Sequence, residues 1–248
     1  MTHDAITLYV TAASVALVHT LLGPDHYLPF VAISRAGGWS SRKTVLITLL
    51  CGLGHVLSSA LLGLIGIALG IAVFKLEWIE QFRGDVAGWL MVAFGLAYFL
   101  WGVRRAMRNR THSHFHAHAD GVVHSHEHTH HADHVHVHAG NLDANPSRDG
   151  KGAGHARITP WALFTIFLFG PCEPLIPILI YAAAKGSAWT VAGVTIVFCV
   201  TTLATMTVIV LSARFVTNIS PLPRLHRFGH ALAGLVVLAS GVAVQSGL

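Results

Sequence analysis

His19-Thr20-Leu21-Leu22-Gly23-Pro24-Asp25-His26-Tyr27-Leu28-Pro29 lies inside an apolar run that extends from about residue 5 to about residue 33. A bilayer is crossed by roughly 20 mostly apolar residues, so the run is long enough to span. The quoted stretch is nevertheless wrong for a plain spanning helix. Proline removes an amide donor and clashes with the preceding turn, and the glycine before it admits dihedrals that a helix does not use. Asp25 and His26 then put an ionisable pair at membrane depth, where carboxylates are rare and usually mark an ion or proton path. Broken backbone survives there only against protein or a watery cavity that satisfies the freed polar groups. The stretch reads as a discontinuous helix of a membrane protein, with chemistry at the break.

The rest of the chain supports that class. Of its 248 residues, 53% are hydrophobic and 11% are charged, and the apolar residues fall in six segments, about 5–33, 44–73, 86–103, 159–183, 188–213 and 228–246. The expected fold is an all-α polytopic membrane protein of about six transmembrane helices. The first segment is not expected to be a cleaved signal peptide, because Thr2, His3 and Asp4 carry no positive charge and no small-residue cleavage site follows. Cys51, Cys172 and Cys199 lie within apolar segments and form no C-x-x-C pair, which gives no support to a disulfide scaffold or a ribbon-type zinc site. No nucleophile and base are arranged for hydrolysis, so the chain is not read as an enzyme and no catalytic cofactor is expected.

The break has a counterpart. In the fourth segment the chain reads Leu168-Phe169-Gly170-Pro171-Cys172-Glu173-Pro174-Leu175-Ile176-Pro177. Aligning Gly23-Pro24 with Gly170-Pro171 sets Asp25-His26 opposite Cys172-Glu173. This is the pattern of an internal repeat of three spans, 1–103 and 159–248, and an odd number of spans inverts the second copy relative to the first. Inverted repeats with broken helices are a common transporter plan, with the binding site where the breaks meet.

On an unbroken helix His19 and His26 share a face but stand roughly 10 Å apart along the axis, at ~1.5 Å per residue. One metal ion cannot hold both. Unwinding at Gly23-Pro24 would fold Asp25 and His26 back toward His19, within the ~2 Å bonds a metal demands. Further polar stripes recur at helical spacing: Cys51, His55 and Ser58 or Ser59 in the second span, and Thr195, Cys199, Thr202 and Met206 in the fifth. The candidate metal residues are therefore His26, Asp25, His55, His19, Glu173 and Cys172, with Gly23, Pro24, Gly170 and Pro171 as hinges. A lone membrane histidine can also serve only to hydrogen-bond between helices, and a cysteine or a hydroxyl stripe can serve only packing.

The third connection, 104–158, breaks the composition. Twelve histidines lie between His112 and His138: His112, His114, His116, His118, His124, His126, His128, His130, His131, His134, His136 and His138. So few apolar residues accompany them that the segment is expected to be disordered without a ligand. Neutral imidazole binds Zn, Cu, Ni and Co, and Asp120, Glu127 and Asp133 could add oxygen ligands, although a His-rich spacer binds metals whatever its purpose. Lys and Arg concentrate in the connections after spans one, three and five. Without the long third connection, Arg35, Arg42, Lys43, Arg214, Arg224 and Arg227 face Lys75, Arg83 and Lys185 on the other side. Positive charge stays cytoplasmic, so the His-rich loop is expected in the cytoplasm and both termini outside, in a bacterial inner membrane. The pI of about 9.5 reflects this bias. No aromatic-basic interleaving points to nucleic acid.

These residues together resemble the nickel/cobalt transporter superfamily. The resemblance rests on His19 with Asp25-His26, Gly54-His55 followed by serines, the broken fourth span and the His-rich connection. It is nearest the compact NicO-type members, which include exporters and the transmembrane proteins associated with urease or hydrogenase metal supply. The family signature has four residues between the first histidine and Asp-His. Here five intervene, which matches Asp25 and His26 directly and His19 less well. The resemblance implies Ni2+ or Co2+ as transported ion, with a cytosolic metal chaperone or metalloenzyme maturation proteins as possible partners. Spacing does not separate these ions from Zn2+, Cu2+ or Fe2+. Two other classes stand beside it: a membrane thiol-disulfide electron carrier using Cys172, and a metal-binding sensor or accessory protein that moves nothing.

Overall fold

The computed structural model describes residues 3–108, 112–117, 123–128, 153–219 and 228–247. Apart from two short strands in the His-rich connection, the described residues fold as an all-α membrane protein. Its helices are α1 (His3–Leu22), α2 (Leu28–Ala36), α3 (Ser41–Ala68), α4 (Val73–Arg108), α5 (Ala153–Phe169), α6 (Leu175–Lys185), α7 (Ala188–Ile219) and α8 (Gly229–Gln245). Among the described residues, four stretches are long and apolar enough to cross a membrane: Asp4–Leu22, Ser41–Ala68, Val73–Arg108 and Ala188–Val216. The apolar stretches Thr159–Phe169, Leu175–Lys185 and Gly229–Gln245 are shorter.

Two of the expected spans are broken where Gly-Pro falls. Between α1 and α2 the chain makes a single 3-10 turn, Pro24–His26. The amide of Gly23 still donates to His19 O at 3.0 Å, but Pro24 has no amide to continue the ladder. Pro29 sits in the first turn of α2, where a missing amide costs nothing. Between α5 and α6, Gly170 N–H donates to Ile166 O at 3.0 Å and the helix stops at Pro171. Elsewhere the ends are ordinary: the Ser40 hydroxyl accepts the Lys43 amide at the start of α3, and Gly70, at φ +64°, lets the chain leave α3.

The third span begins earlier than the 86 expected from hydropathy. Helix α4 starts at Val73 and carries Lys75, Glu77, Glu80, Arg83 and Asp85 in its first half. Charges in a helix of this kind persist when they pair, and Glu80 and Arg83, one turn apart, form an ion pair. The expected disorder of the His-rich connection is also corrected in part. His112–Ala117 and Val123–His128 are two antiparallel strands, β1 and β2, with His112 opposite His128, His114 opposite His126 and His116 opposite His124. An alternation of histidine with another residue has the period of a strand, two, which explains the pairing. His118, His130, His131, His134, His136 and His138 lie outside the described residues.

The longest helix contact joins α4 to α8 in antiparallel fashion. Gly95 lies against the Leu238 backbone, Gly102 against Ala231, and Gly234 and Gly241 of α8 against the Phe99 and Val92 backbone. Lipid tails are as apolar as leucine, so helices in a membrane gain from close packing more than from hiding apolar surface, and small residues allow that approach. Around this pair, α1 packs on α7, α3 on α5, α6 and α7, and α2 on α8. Buried apolar side chains form two clusters, one around Phe30, Met91, Phe167 and Met206, the other around Val56, Leu175, Leu179 and Phe198.

Candidate metal centre

The turn at Gly23-Pro24 folds His26 back onto His19. Their ring centroids are 4.8 Å apart, and His55, midway along α3, lies 5.0 Å from His26. The ligand atoms of His19, His26 and His55 all lie within 4.8 Å of one another, and His26 and His55 are buried. A metal with ~2 Å bonds to three imidazoles spaces their nitrogens about 3.3 Å apart. Ring rotations on the order of 1 Å would close the set.

The hydrogen bonding fixes which nitrogen is available on His26. Its Nδ1 lies 3.1 Å from the Gly23 carbonyl and 3.3 Å from Asp25 Oδ1. A carbonyl only accepts, so Nδ1 carries the proton and Nε2 keeps its lone pair. Among the described residues that nitrogen has no hydrogen-bond partner, and neither does His19 Nε2 nor either ring nitrogen of His55. Four buried imidazole nitrogens without partners are costly, because buried polar groups normally find one. One ring nitrogen from each of the three histidines lies within 4.8 Å of the others, an arrangement a cation would satisfy. Asp25 therefore stands behind His26, as the carboxylate that orients a metal-binding histidine commonly does.

The remaining candidates are placed differently. Cys172 is fully buried among Val56, Leu175 and Leu179, in the apolar cluster rather than with the imidazoles. Glu173 is exposed but lines the same cavity as the three histidines. That cavity, about 400 Å³, also touches Met91, Phe167 and, at the end of α8, Val244. On α8 its lining residues, Val244 and Gly247, are at the end that packs on the first half of α4, away from the end of α4 that leads into the His-rich connection. Cys51, Cys172 and Cys199 are all free thiols. Hydropathy gave no prominence to Glu80, Arg83 and the hydroxyl of Ser59, which form a buried network beside the second break. A carboxylate and an arginine at i and i+3 in an otherwise spanning helix were the available signal.

Gly23 and Gly170 both lie against the cluster. A Cβ on Gly23 would strike the His26 ring, and one on Gly170 would come to 3.1 Å from His55 Nδ1. Gly23→Ala is expected to weaken metal binding at the cluster by about tenfold, the size of losing an orienting partner, and Gly170→Ala by less. Titration of the purified variants with Co2+ checks the order, and equal affinity in Gly23→Ala and the parent would refute it.

Compared with known proteins, the chain matches no family model, no curated protein and no solved structure. What fold and site define together is a class: an all-α membrane protein with a buried three-histidine cluster suited to a metal ion.

Proposed function

We propose that the protein transports a divalent transition-metal ion across the membrane, as a member of the nickel/cobalt transporter superfamily, with Ni2+ or Co2+ as cargo. The observation that carries this is the set of partnerless imidazole nitrogens of His19, His26 and His55, at a helix break beside a cavity. A resident structural ion would be served by a closed, fully ligated site. Three neutral ligands beside open volume fit an ion that arrives and leaves with part of its water.

The proposed plan is six spans in two inverted repeats, with α1–α2 and α5–α6 as the broken first helix of each. The helix contacts support it, since they come in matching pairs: α1 on α7 and α5 on α3, α2 on α8 and α6 on α4, with α3 on α7 and α4 on α8 between the copies. Movement at Gly23-Pro24 would expose the cluster to one side and then the other. With the His-rich connection in the cytoplasm and both termini outside, as the Lys and Arg bias implies, the tract collects cytosolic metal, alone or from a chaperone, and the cavity releases it outside. This is the direction of export. Histidine must be neutral to bind, so protons compete with the metal and can drive its release.

Reconstitution in vesicles tests the proposal. The parent protein should carry Ni2+ or Co2+ across, and the Asp25→Ala, His26→Ala double variant should lose that flux. Normal flux in the double variant would sink the site, and stoichiometric binding without flux in the parent would make this a sensor or accessory protein.

A further inference from the structure

In an unbroken helix the amide of Cys172 would donate to the carbonyl of Leu168, four residues earlier. The break at Gly170-Pro171 parts these two groups, and each finds a charged partner on α4. Cys172 N–H points at Ser59 Oγ and at Glu80 Oε2, both at 3.0 Å. Arg83 Nη2 donates to the Leu168 carbonyl at 3.0 Å and to Ser58 Oγ at 2.7 Å. The set closes on itself, because Arg83 pairs with Glu80 and Ser59 Oγ donates to Glu80 Oε2 at 2.8 Å. Glu80 is fully buried, and no oxygen of its carboxylate lacks a partner.

The first break is satisfied in another way. Leu21, which aligns with Leu168, has its carbonyl bonded at 3.3 Å to the hydroxyl of Tyr27, six residues along the same segment. No charged residue of another helix takes part in that bond. One break is thus closed within its own chain segment, and the other is tied to two neighbouring helices.

We propose that the Glu80–Arg83 pair, with Ser58 and Ser59, is a clamp that replaces the missing helix bond at Gly170-Pro171 and holds that break still against His55. Glu80 and Arg83 are then positioning residues. The two serines follow His55 by about one turn of α3, and Gly170 abuts the His55 ring, so the clamp sets where His55 stands relative to the backbone beside it. Motion during transport is confined to Gly23-Pro24, which carries His26. The consequence for metal rests on the reading of the histidine cluster as a cargo site; the clamp itself does not.

Amide hydrogen exchange on the full chain in detergent, followed in peptides covering 166–176, tests the clamp without any metal. In the parent this segment should exchange slowly. Glu80→Gln and Ser59→Ala should each speed it by at least tenfold, with peptides covering 86–103 unchanged. Ser59→Ala leaves the ion pair in place and decides the matter if Glu80→Gln does not fold. Unchanged protection in Ser59→Ala and in every folded variant overturns the clamp. A second arm uses the full chain with the tract histidines from His112 to His138 changed to serine, so that only the membrane cluster reports. Co2+ should bind Ser59→Ala at least fivefold more weakly and with altered visible bands, whereas unchanged binding with faster exchange overturns the positioning role. If the parent itself binds no Co2+, the cargo-site reading fails, and the exchange arm alone still decides the clamp.

Discussion

In the full chain with its tract histidines changed to serine, His26→Ala is expected to lower Co2+ or Ni2+ affinity by more than about a hundredfold, beyond the 10–100-fold typical of orienting partners. His26 is buried, 4.8 Å from His19 and 5.0 Å from His55 by ring centroids, so its loss leaves only two of the three ligands. Asp25→Asn should cost about tenfold. An amide still touches Nδ1 but no longer favours the developing positive charge on the ring, and it can present a donor where an acceptor is needed. Cys172→Ala and Glu173→Gln should leave the affinity nearly unchanged, because neither side chain belongs to the three-histidine group. Calorimetric titration of the variants measures all four. A His26→Ala protein that binds as tightly as its parent would remove the cluster from consideration, and a Cys172→Ala protein that loses binding would move the site to the second break.

Much of this site was legible in the sequence because its determinants are local. Pro24 removes an amide from the helix ladder whatever surrounds it, and the offset of seven residues from His19 to His26 makes a turn there the way to bring them together. His55 was legible for a weaker reason, its spacing along α3 with Cys51 and the serines. What sequence periodicity could not reach was pairing between helices. Glu80 and Arg83 read as charges, and charges read as the end of a span, so the third span was expected to start near 86 rather than at Val73. Only when α3, α4 and the second break are brought together does Glu80 have a use, accepting an amide that Pro171 left without its partner. Cys172 shows the converse. Its alignment with Asp25 suggested a ligand, whereas its amide bonds Ser59 Oγ and its side chain lies in the apolar cluster, apart from the three histidines. The His-rich connection shows the same limit from composition: few apolar residues argued for disorder, while the alternation that makes a strand was present in the same histidines.

Gly95→Leu and Gly234→Leu are each expected to abolish the folded protein, or to destabilise it by more than about 3 kcal/mol, the upper end of ordinary overpacking. The reason is what each glycine meets. A Cβ on Gly95 runs into the backbone of Leu238, and one on Gly234 into the backbone of Phe99. A side chain in the way can rotate aside, whereas a backbone can yield only if the helices separate. Separation of α4 and α8 would lose the contact shared by Gly88, Gly95 and Gly102 along one helix and Gly234 and Gly241 along the other. In lipid this packing is what holds the pair, since there is no water to drive apolar surfaces back together. The damage would reach the metal site, because the cavity beside the histidines is walled by Ala87 and Gly88 of α4 and Val244 of α8. Val242→Leu serves as the control: that side chain is 52% exposed on the outer face of α8, and the larger residue should change nothing. Size-exclusion profiles in mild detergent and thermal unfolding compare the three. A monodisperse Gly95→Leu protein with the parent's melting temperature would show that α4 and α8 do not meet at this separation, and the wall of the cavity would then have to be placed elsewhere.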